Sequence, residues 1–359
     1  MGRESEAVRP TNAHDDGGEV QARARVAAEV YDCRRAVACD RLLEGKALTG
    51  GVTIIPPREI RIPLGDNYAG IERICEDLYS FLLESGKDVT LFDWDRDLGN
   101  PPNINDRDFV LDFTHLKDFA VWFDSSRYMA YCFATDRMSY KRDVFATNVV
   151  KRWFTKRATM LNYDPGPVVY PGIRNIYQYR EAKEEYVLFL GRIAPYKGVH
   201  IALDAASQAG LPIKVAGHTG RFADPAYVEK VKGLCRETPR AEFIGDVSVK
   251  EKVDLLSHAK CLIAPSDWSM LPGSPPESFG IVCVEALLSG TPCIVPPASG
   301  MAEIIDQQSG LTASTVDEYR RALLSISDVT SPRACLERGK YFTPGRFWED
   351  LAVCSSFLS

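Results

Sequence analysis

Tyr186-Val187-Leu188-Phe189-Leu190-Gly191-Arg192-Ile193-Ala194-Pro195-Tyr196-Lys197-Gly198 begins as an uninterrupted apolar run and ends in a loop with two glycines and two cations. A short apolar run bounded by glycine reads as a strand covered on both faces, the kind that parallel sheets contain. Ligands of open parallel sheets bind at the carboxyl ends of the strands, which is where this loop falls. Glycine admits a ligand close to the backbone, Arg192 offers a fork of donors and Lys197 a point charge, a combination suited to a diphosphate. The loop is not a Walker A sequence, because Lys197 lies between Tyr196 and Gly198. Taken alone, it fits an ordinary exposed strand-to-helix connection equally well.

Downstream, strands are expected at 213–216, 241–244, 261–264 and 292–295, with helical segments between them. Upstream, Val52-Thr53-Ile54-Ile55 reads as a buried first strand, followed by a helix over 71–85 and strands at 89–92 and 109–113. Alternating strands and helices imply parallel crossovers, and 359 residues exceed what one core usually organises. The expected division is a tail and helix over 1–48, a short acceptor domain over 49–182, a donor domain over 183–340, and a C-terminal helix over 341–359 that packs back on the first domain. The tail is polar to about residue 18, then places Val26, Val30, Cys33, Val37 and Leu42 at helical spacing.

A second motif is Pro276-Glu277-Ser278-Phe279-Gly280-Ile281-Val282-Cys283-Val284-Glu285-Ala286. Were the whole stretch helical, the two carboxylates would stand about 12 Å apart along the axis. That exceeds the roughly 5–9.5 Å a glycosidase uses around one bond, and better suits one extended ligand with a sugar at Glu277 and a ribose at Glu285. A helix starting near Phe279 and Gly280 would aim amides and its positive dipole end at whatever joins those parts. The plainer reading is a solvated Glu277 and an exposed Glu285. However, Ile281, Val282, Val284, Ala286, Leu287 and Leu288 make the helix largely apolar, so Glu285 needs a partner.

Together these motifs resemble the retaining glycosyltransferases of family 4, most specifically over 186–313. The resemblance implies an α/β protein of GT-B fold, two Rossmann-like domains with parallel sheets facing across a cleft. It implies that Arg192 and Lys197 bind the donor diphosphate, that Glu277 lies at the transferred sugar, and that Glu285 lies at the ribose. Backbone around Ser278, Phe279, Gly280 and Ile281 would contact sugar and phosphate, and backbone near Val247 the base. Leu288-Ser289-Gly290-Thr291-Pro292 and Ser299-Gly300-Met301-Ala302-Glu303-Ile304-Ile305 continue the family pattern. Asn67-Tyr68-Ala69-Gly70 resembles a loop with paired glycines, of which only Gly70 is kept here. Asp112-Phe113-Thr114-His115 resembles a segment whose histidine lies near the reaction centre, although a lone histidine after a strand is more often structural. The activity implied is retaining transfer of a sugar from a nucleoside-diphosphate sugar to a glycan, lipid or small-molecule hydroxyl, with no cofactor or metal required. The rival readings are a nucleotide-sugar epimerase or hydrolase on the same scaffold, and a noncatalytic sugar-nucleotide-binding subunit.

A net charge of −6 argues against a nucleic-acid partner. The ten cysteines show neither a CxxC pair nor metal-ligand spacing and read as reduced structural thiols. The first 20 residues lack the apolar core of a secretory signal, so a cytoplasmic location is expected. Residues 141–157 read as a basic, aromatic helix: its ordinary role is to pack on the core, and its alternative is contact with the inner membrane face.

Overall fold

Val52–Ile55 (β1) is buried at all four positions, as a strand covered on both faces must be. The computed structural model describes residues 51–56, 70–92, 109–113, 128–132, 143–148, 150–152, 166–220, 223–267 and 276–357. The tail 1–48, Ala69, His115 and residues 153–157 lie outside the described residues. β1 belongs to a sheet with Val89–Leu91 (β2), Phe109–Asp112 (β3), Tyr128–Cys132 (β4) and Asp143–Phe145 (β5), in the order β2-β1-β3-β4-β5. A second sheet holds Val187–Leu190 (β6), Ile213–Ala216 (β7), Ala241–Gly245 (β8), Cys261–Ile263 (β9), Cys293–Val295 (β10) and Gly310–Thr312 (β11), in the order β11-β10-β9-β6-β7-β8. Among the described residues, every strand pairing in the two sheets is parallel.

In each sheet the chain winds outward from one strand and then restarts on that strand's other side. The first sheet reverses between β1 and β3, the second between β6 and β9. Such a reversal point is where doubly wound sheets take ligands. Glycine-rich 191–198 follows β6, and the segment leading to Glu277 follows β9.

Most of the helices cover these sheets with one apolar stripe, while the helix over 281–288 is buried nearly all round. Gly70–Glu84 (α1) buries Ile74, Cys75, Leu78 and Leu82. In the second lobe come Val199–Ala209 (α2), Pro225–Glu237 (α3), Val249–His258 (α4), Ile281–Leu288 (α5), Met301–Ile304 (α6), Val316–Val329 (α7) and Pro332–Gly339 (α8), and after them the chain ends its described part in Pro344–Phe357 (α9). Leu203, Val231, Leu323 and Ile326 from these helices meet Val187, Phe189, Val215 and Ile263 of the strands in one core. Ser248 and Thr315 close capping boxes with Glu251 and Glu318, fixing where α4 and α7 begin.

The chain crosses between lobes twice, and the crossings touch. The Ile173 amide donates to the Phe342 carbonyl at 3.0 Å. A Cβ at Gly172 would stand 2.0 Å from the Thr343 oxygen, so only glycine lets the strands of chain pass. Beyond the second crossing, α9 packs on α1, where a Cβ at Gly345 would meet the Phe81 ring at 3.2 Å. Asp77 of α1 is 2% exposed and accepts from Arg73 Nε at 2.7 Å and from the Arg174 amide of the first crossing at 2.9 Å. Burial raises its pKa despite Arg73 beside it.

The basic helix expected over 141–157 is corrected by β5. Val144 and Phe145 are fully buried, and the strand pairs in parallel with β4 and bridges Val168. Helix begins only after Thr147; Lys151 is half-buried and Arg152 exposed. Completing a sheet outweighs helical spacing in so short an apolar run. Among the described residues no helix is long and apolar enough to cross a membrane, no cluster of His, Cys, Asp or Glu is placed to hold a metal, and seven cysteines stand as buried thiols.

Gly172→Ala should cost about 1–3 kcal/mol by forcing the crossings apart, read as a lower urea midpoint with an unchanged slope. An unaltered midpoint would mean that the two crossings are not in contact.

Candidate functional site

At the switch point of the second sheet, the loop after β6 lies flat against the loop after β9. Pro195–Lys197 form a single 3₁₀ turn ended by Gly198 at φ 74°, where a Cβ would stand 2.1 Å from the Pro265 oxygen. The Asp267 amide donates to the Tyr196 carbonyl at 2.7 Å. On the other side Gly217, at φ 141°, approaches so closely that a Cβ would lie 1.7 Å from the Gly191 oxygen. Both glycine positions combine left-handed backbone with a close approach, which excludes other residues twice over. Arg192 Nη1 donates to the Tyr196 hydroxyl at 2.9 Å. Lys197 Nζ forms an ion pair with Glu277, their side chains 22% and 12% exposed.

Glu277 does not belong to the helix of its motif; it precedes α5 by four residues. The helix begins after Gly280, whose φ of 81° turns the chain and which has no side chain to cap the first turn. The Gly300 amide donates to the Glu277 carbonyl at 2.7 Å, and a Cβ at Gly300 would strike the Ser278 oxygen at 1.9 Å. Phe279 is 2% exposed and packs edge-on against Phe342 at 5.8 Å between centroids. Gly70, the first residue of α1, sits against Ile281, whose Cγ2 would lie 3.0 Å from its Cβ. Two helices from different lobes thus begin side by side, each presenting amides and the positive end of its dipole.

Glu285 is one turn into α5 and 3% exposed. Its Oε1 accepts from the Tyr177 hydroxyl and, at 2.7 Å, from Lys252 Nζ. The partner that the apolar helix demanded is therefore a cation from α4 with a phenol from the first crossing. Neither residue stands out in sequence, because only the folded topology brings them to α5. Lys183 was equally hidden. Its Nζ donates to the carbonyls of Ser257 and Ser289 and to the Thr291 hydroxyl at 2.8–2.9 Å, tying the ends of α4 and α5 together, and burial brings its pKa down to about 8.

Val247 is half-buried in the loop after β8. Its neighbour Asp246 binds the Thr219 hydroxyl and amide and lies 3.2 Å from His218 Nδ1, so the loops after β7 and β8 are joined. Partial burial opposes its charge, yet the Thr219 and His218 contacts outweigh that and hold the carboxyl below its usual range. The structure thus brings Arg192, Lys197, Glu277, Ser278, Gly280, Ile281 and Gly70 to one crevice, with Glu285 behind them and Val247 on the neighbouring loop. Two cations beside two helix N-termini suit an anion, and an adjoining carboxylate suits hydroxyl groups.

Residues 175–329 match the family model described as Glycosyl transferases group 1. An uncharacterised glycosyltransferase of Methanocaldococcus jannaschii is 27% identical over 188 residues, 51% of this chain and 50% of its own length. D-rhamnosyltransferase WbpZ of Pseudomonas aeruginosa is 28% identical over 153 residues, 42% and 38% of the two chains. The chain thus spans about half the length, or less, of these curated relatives. Among solved structures, AviGT4, a glycosyltransferase involved in avilamycin A biosynthesis, superposes with a TM-score of 0.67 at 20% identity, over 86% of this chain and 97% of that one. Anabaena Alr3699/HepE, solved in complex with UDP and glucose, gives 0.62 at 15%, over 86% and 99%. The chain has the GT-B fold, with two Rossmann-like lobes.

Lys252→Met leaves Glu285 buried without its cation and should cost about 3–5 kcal/mol in urea unfolding. The double variant Lys252→Met/Glu285→Met should recover part of that loss. Equal stability of wild type and the single variant would show that the pair is not formed.

Proposed function

We propose that this chain is a retaining glycosyltransferase of the family 4 type, which moves a sugar from a nucleoside-diphosphate sugar to a hydroxyl of a glycan, lipid or small molecule. The observation that carries the reading is the contact of Lys197 with Glu277 beside the start of α5. It sets a cation for a diphosphate next to a carboxylate for sugar hydroxyls, within one switch-point crevice. The UDP and glucose held by the Anabaena protein support a donor of this class.

In the reaction, the bond between the sugar's anomeric carbon and the donor phosphate breaks, and its electron pair leaves with the diphosphate. Arg192, Lys197 and the amides opening α5 and α1 stabilise that growing charge from fixed positions, which is where preorganised electrostatics acts most strongly. Glu277 orients the sugar through its hydroxyls, and Glu285 serves the ribose. The acceptor oxygen forms its bond on the face that the phosphate leaves, and its proton passes to a phosphate oxygen, so the configuration is retained without a protein nucleophile. His115 is assigned a place near this centre by the family resemblance. Metal is not required, because protein cations and helix ends supply the positive charge.

UDP, GDP, ADP, CDP and TDP sugars should be compared for thermal stabilisation, since a ligand bound only to the folded state raises its melting temperature. One donor class should give a shift that Arg192→Ala and Lys197→Ala remove, with turnover falling about 100-fold or more. Sugar release from donor alone, at the rate seen with acceptor, would favour a hydrolase. Binding without turnover across a broad acceptor set would favour a noncatalytic subunit.

A further inference from the structure

Every group assigned above to the diphosphate's cations, the sugar or the ribose belongs to the second lobe, yet the backbone carrying Glu277 is held partly from the first. Thr147, two residues past β5 and fully buried, donates its hydroxyl to the Ser278 carbonyl at 2.7 Å. The same oxygen accepts from the Val150 amide at 3.3 Å, so its direction is set by the turn it begins. Asn148 grips Glu303 of α6 twice, through its amide at 2.8 Å and Nδ2 at 3.0 Å. Tyr170 donates to the same Glu303 oxygen at 2.8 Å and accepts from Asn148 Nδ2 at 3.1 Å.

Glu303 is itself braced. Arg338 donates to the Glu303 carbonyl at 2.8 Å and to the Ile304 carbonyl at 2.6 Å, and its guanidinium lies over the Phe342 ring. Phe342 packs on both Tyr170 and Phe279, which closes a ring of contacts around the loop that ends at Gly280. From within the second lobe the Gly300 amide holds the Glu277 carbonyl. Consecutive carbonyls, those of Glu277 and Ser278, are thus fixed by donors from opposite lobes.

We propose that Thr147 and Asn148 are positioning residues for glycosyl transfer, setting the Glu277 loop from the acceptor lobe; this rests on the function proposed above. Neither residue is assigned to the donor, and Arg192, Lys197 and Glu285 remain in place when the first lobe lets go. Donor affinity is therefore carried mainly by side chains of the second lobe, with the amides that open α1 untouched by changes at Thr147 or Asn148. The placement of Glu277 on the sugar requires Thr147 to hold Ser278, and small misplacements of a reacting group lower the rate far more than they weaken binding. The arrangement couples engagement of the acceptor lobe to assembly of the donor loop.

The test compares Thr147→Val, Thr147→Ser and Asn148→Ala in the full chain, using whichever of the UDP, GDP, ADP, CDP and TDP sugars stabilises the wild type most. Thr147→Val should lower kcat about tenfold to a hundredfold, with the donor Kd within about twofold of wild type, and Thr147→Ser should restore kcat. Asn148→Ala, which keeps its backbone bond to Glu303, should show the same split to a smaller degree and serves if the valine variant does not fold. An unchanged kcat in both variants overturns the inference. So does a loss of kcat that follows donor Kd and melting temperature together without rescue by serine. If the wild type binds none of the donors, the glycosyltransferase reading fails and the inference falls with it.

Discussion

The carbonyl of Pro265 stands where a side chain at Gly198 would begin, and the arrangement of the crevice follows from that one close approach. The 3₁₀ turn can lie flat on the β9 loop only because position 198 is glycine in a left-handed conformation. Flattening the turn sends Lys197 toward Glu277 rather than out to solvent. The same device recurs at Gly217 against Gly191, and at Gly300 against Ser278. The crevice is therefore shaped by backbone packed on backbone, which is far stiffer than side chains resting on one another, and it carries its charged groups on rigid supports.

Charge in the second lobe is arranged in two tiers. Lys197 and Glu277 face the crevice and keep part of their surface open, so a ligand can replace either partner. Lys252 and Glu285 lie deeper, 14% and 4% exposed, and are joined by Tyr177 from the crossing. Behind both, Lys183 holds the carbonyl ends of α4 and α5, where a cation complements two helix dipoles at once. Burial lowers its pKa to about 8, against 10.5 for an exposed lysine, so this support gives up its proton more readily than a surface amine. Helix α5 is thereby anchored at its far end and along its side.

The second lobe was legible in sequence because its strands are nearly all apolar and its turns are glycines with a steric reason. β6 through β10 were expected within a residue or two of where they lie. β4, β5 and β11 were not expected. Gly310-Leu311-Thr312 offers one large apolar residue, and Asp143-Val144-Phe145 is flanked by basic residues that suggest a helix face. Charged site residues could be read locally, since Arg192, Lys197, Glu277 and Glu285 occur in two short motifs. Their partners could not. Lys252, Tyr177, Thr147 and Asn148 come from other segments, and proximity created by crossovers leaves no periodic trace. Glu303 stood within a stretch recognised for its pattern, but its grip on Asn148 and Tyr170 depends on where β5 ends.

Packing of α9 on α1 has a consequence for synthesis on the ribosome. Roughly 260 residues separate the two helices, so at about 5–20 residues per second the first lobe waits some 13–50 seconds for the segment that covers it. During that interval the ring of Phe81 and the neighbouring face of α1 lack the cover that Gly345 and its helix provide. Newly made chains therefore pass through a stage in which the second lobe can be complete while the first still shows apolar surface. Such a stage is a natural substrate for a holding chaperone, and it makes α9 decisive for a lobe whose other described elements lie about 200 residues or more before it.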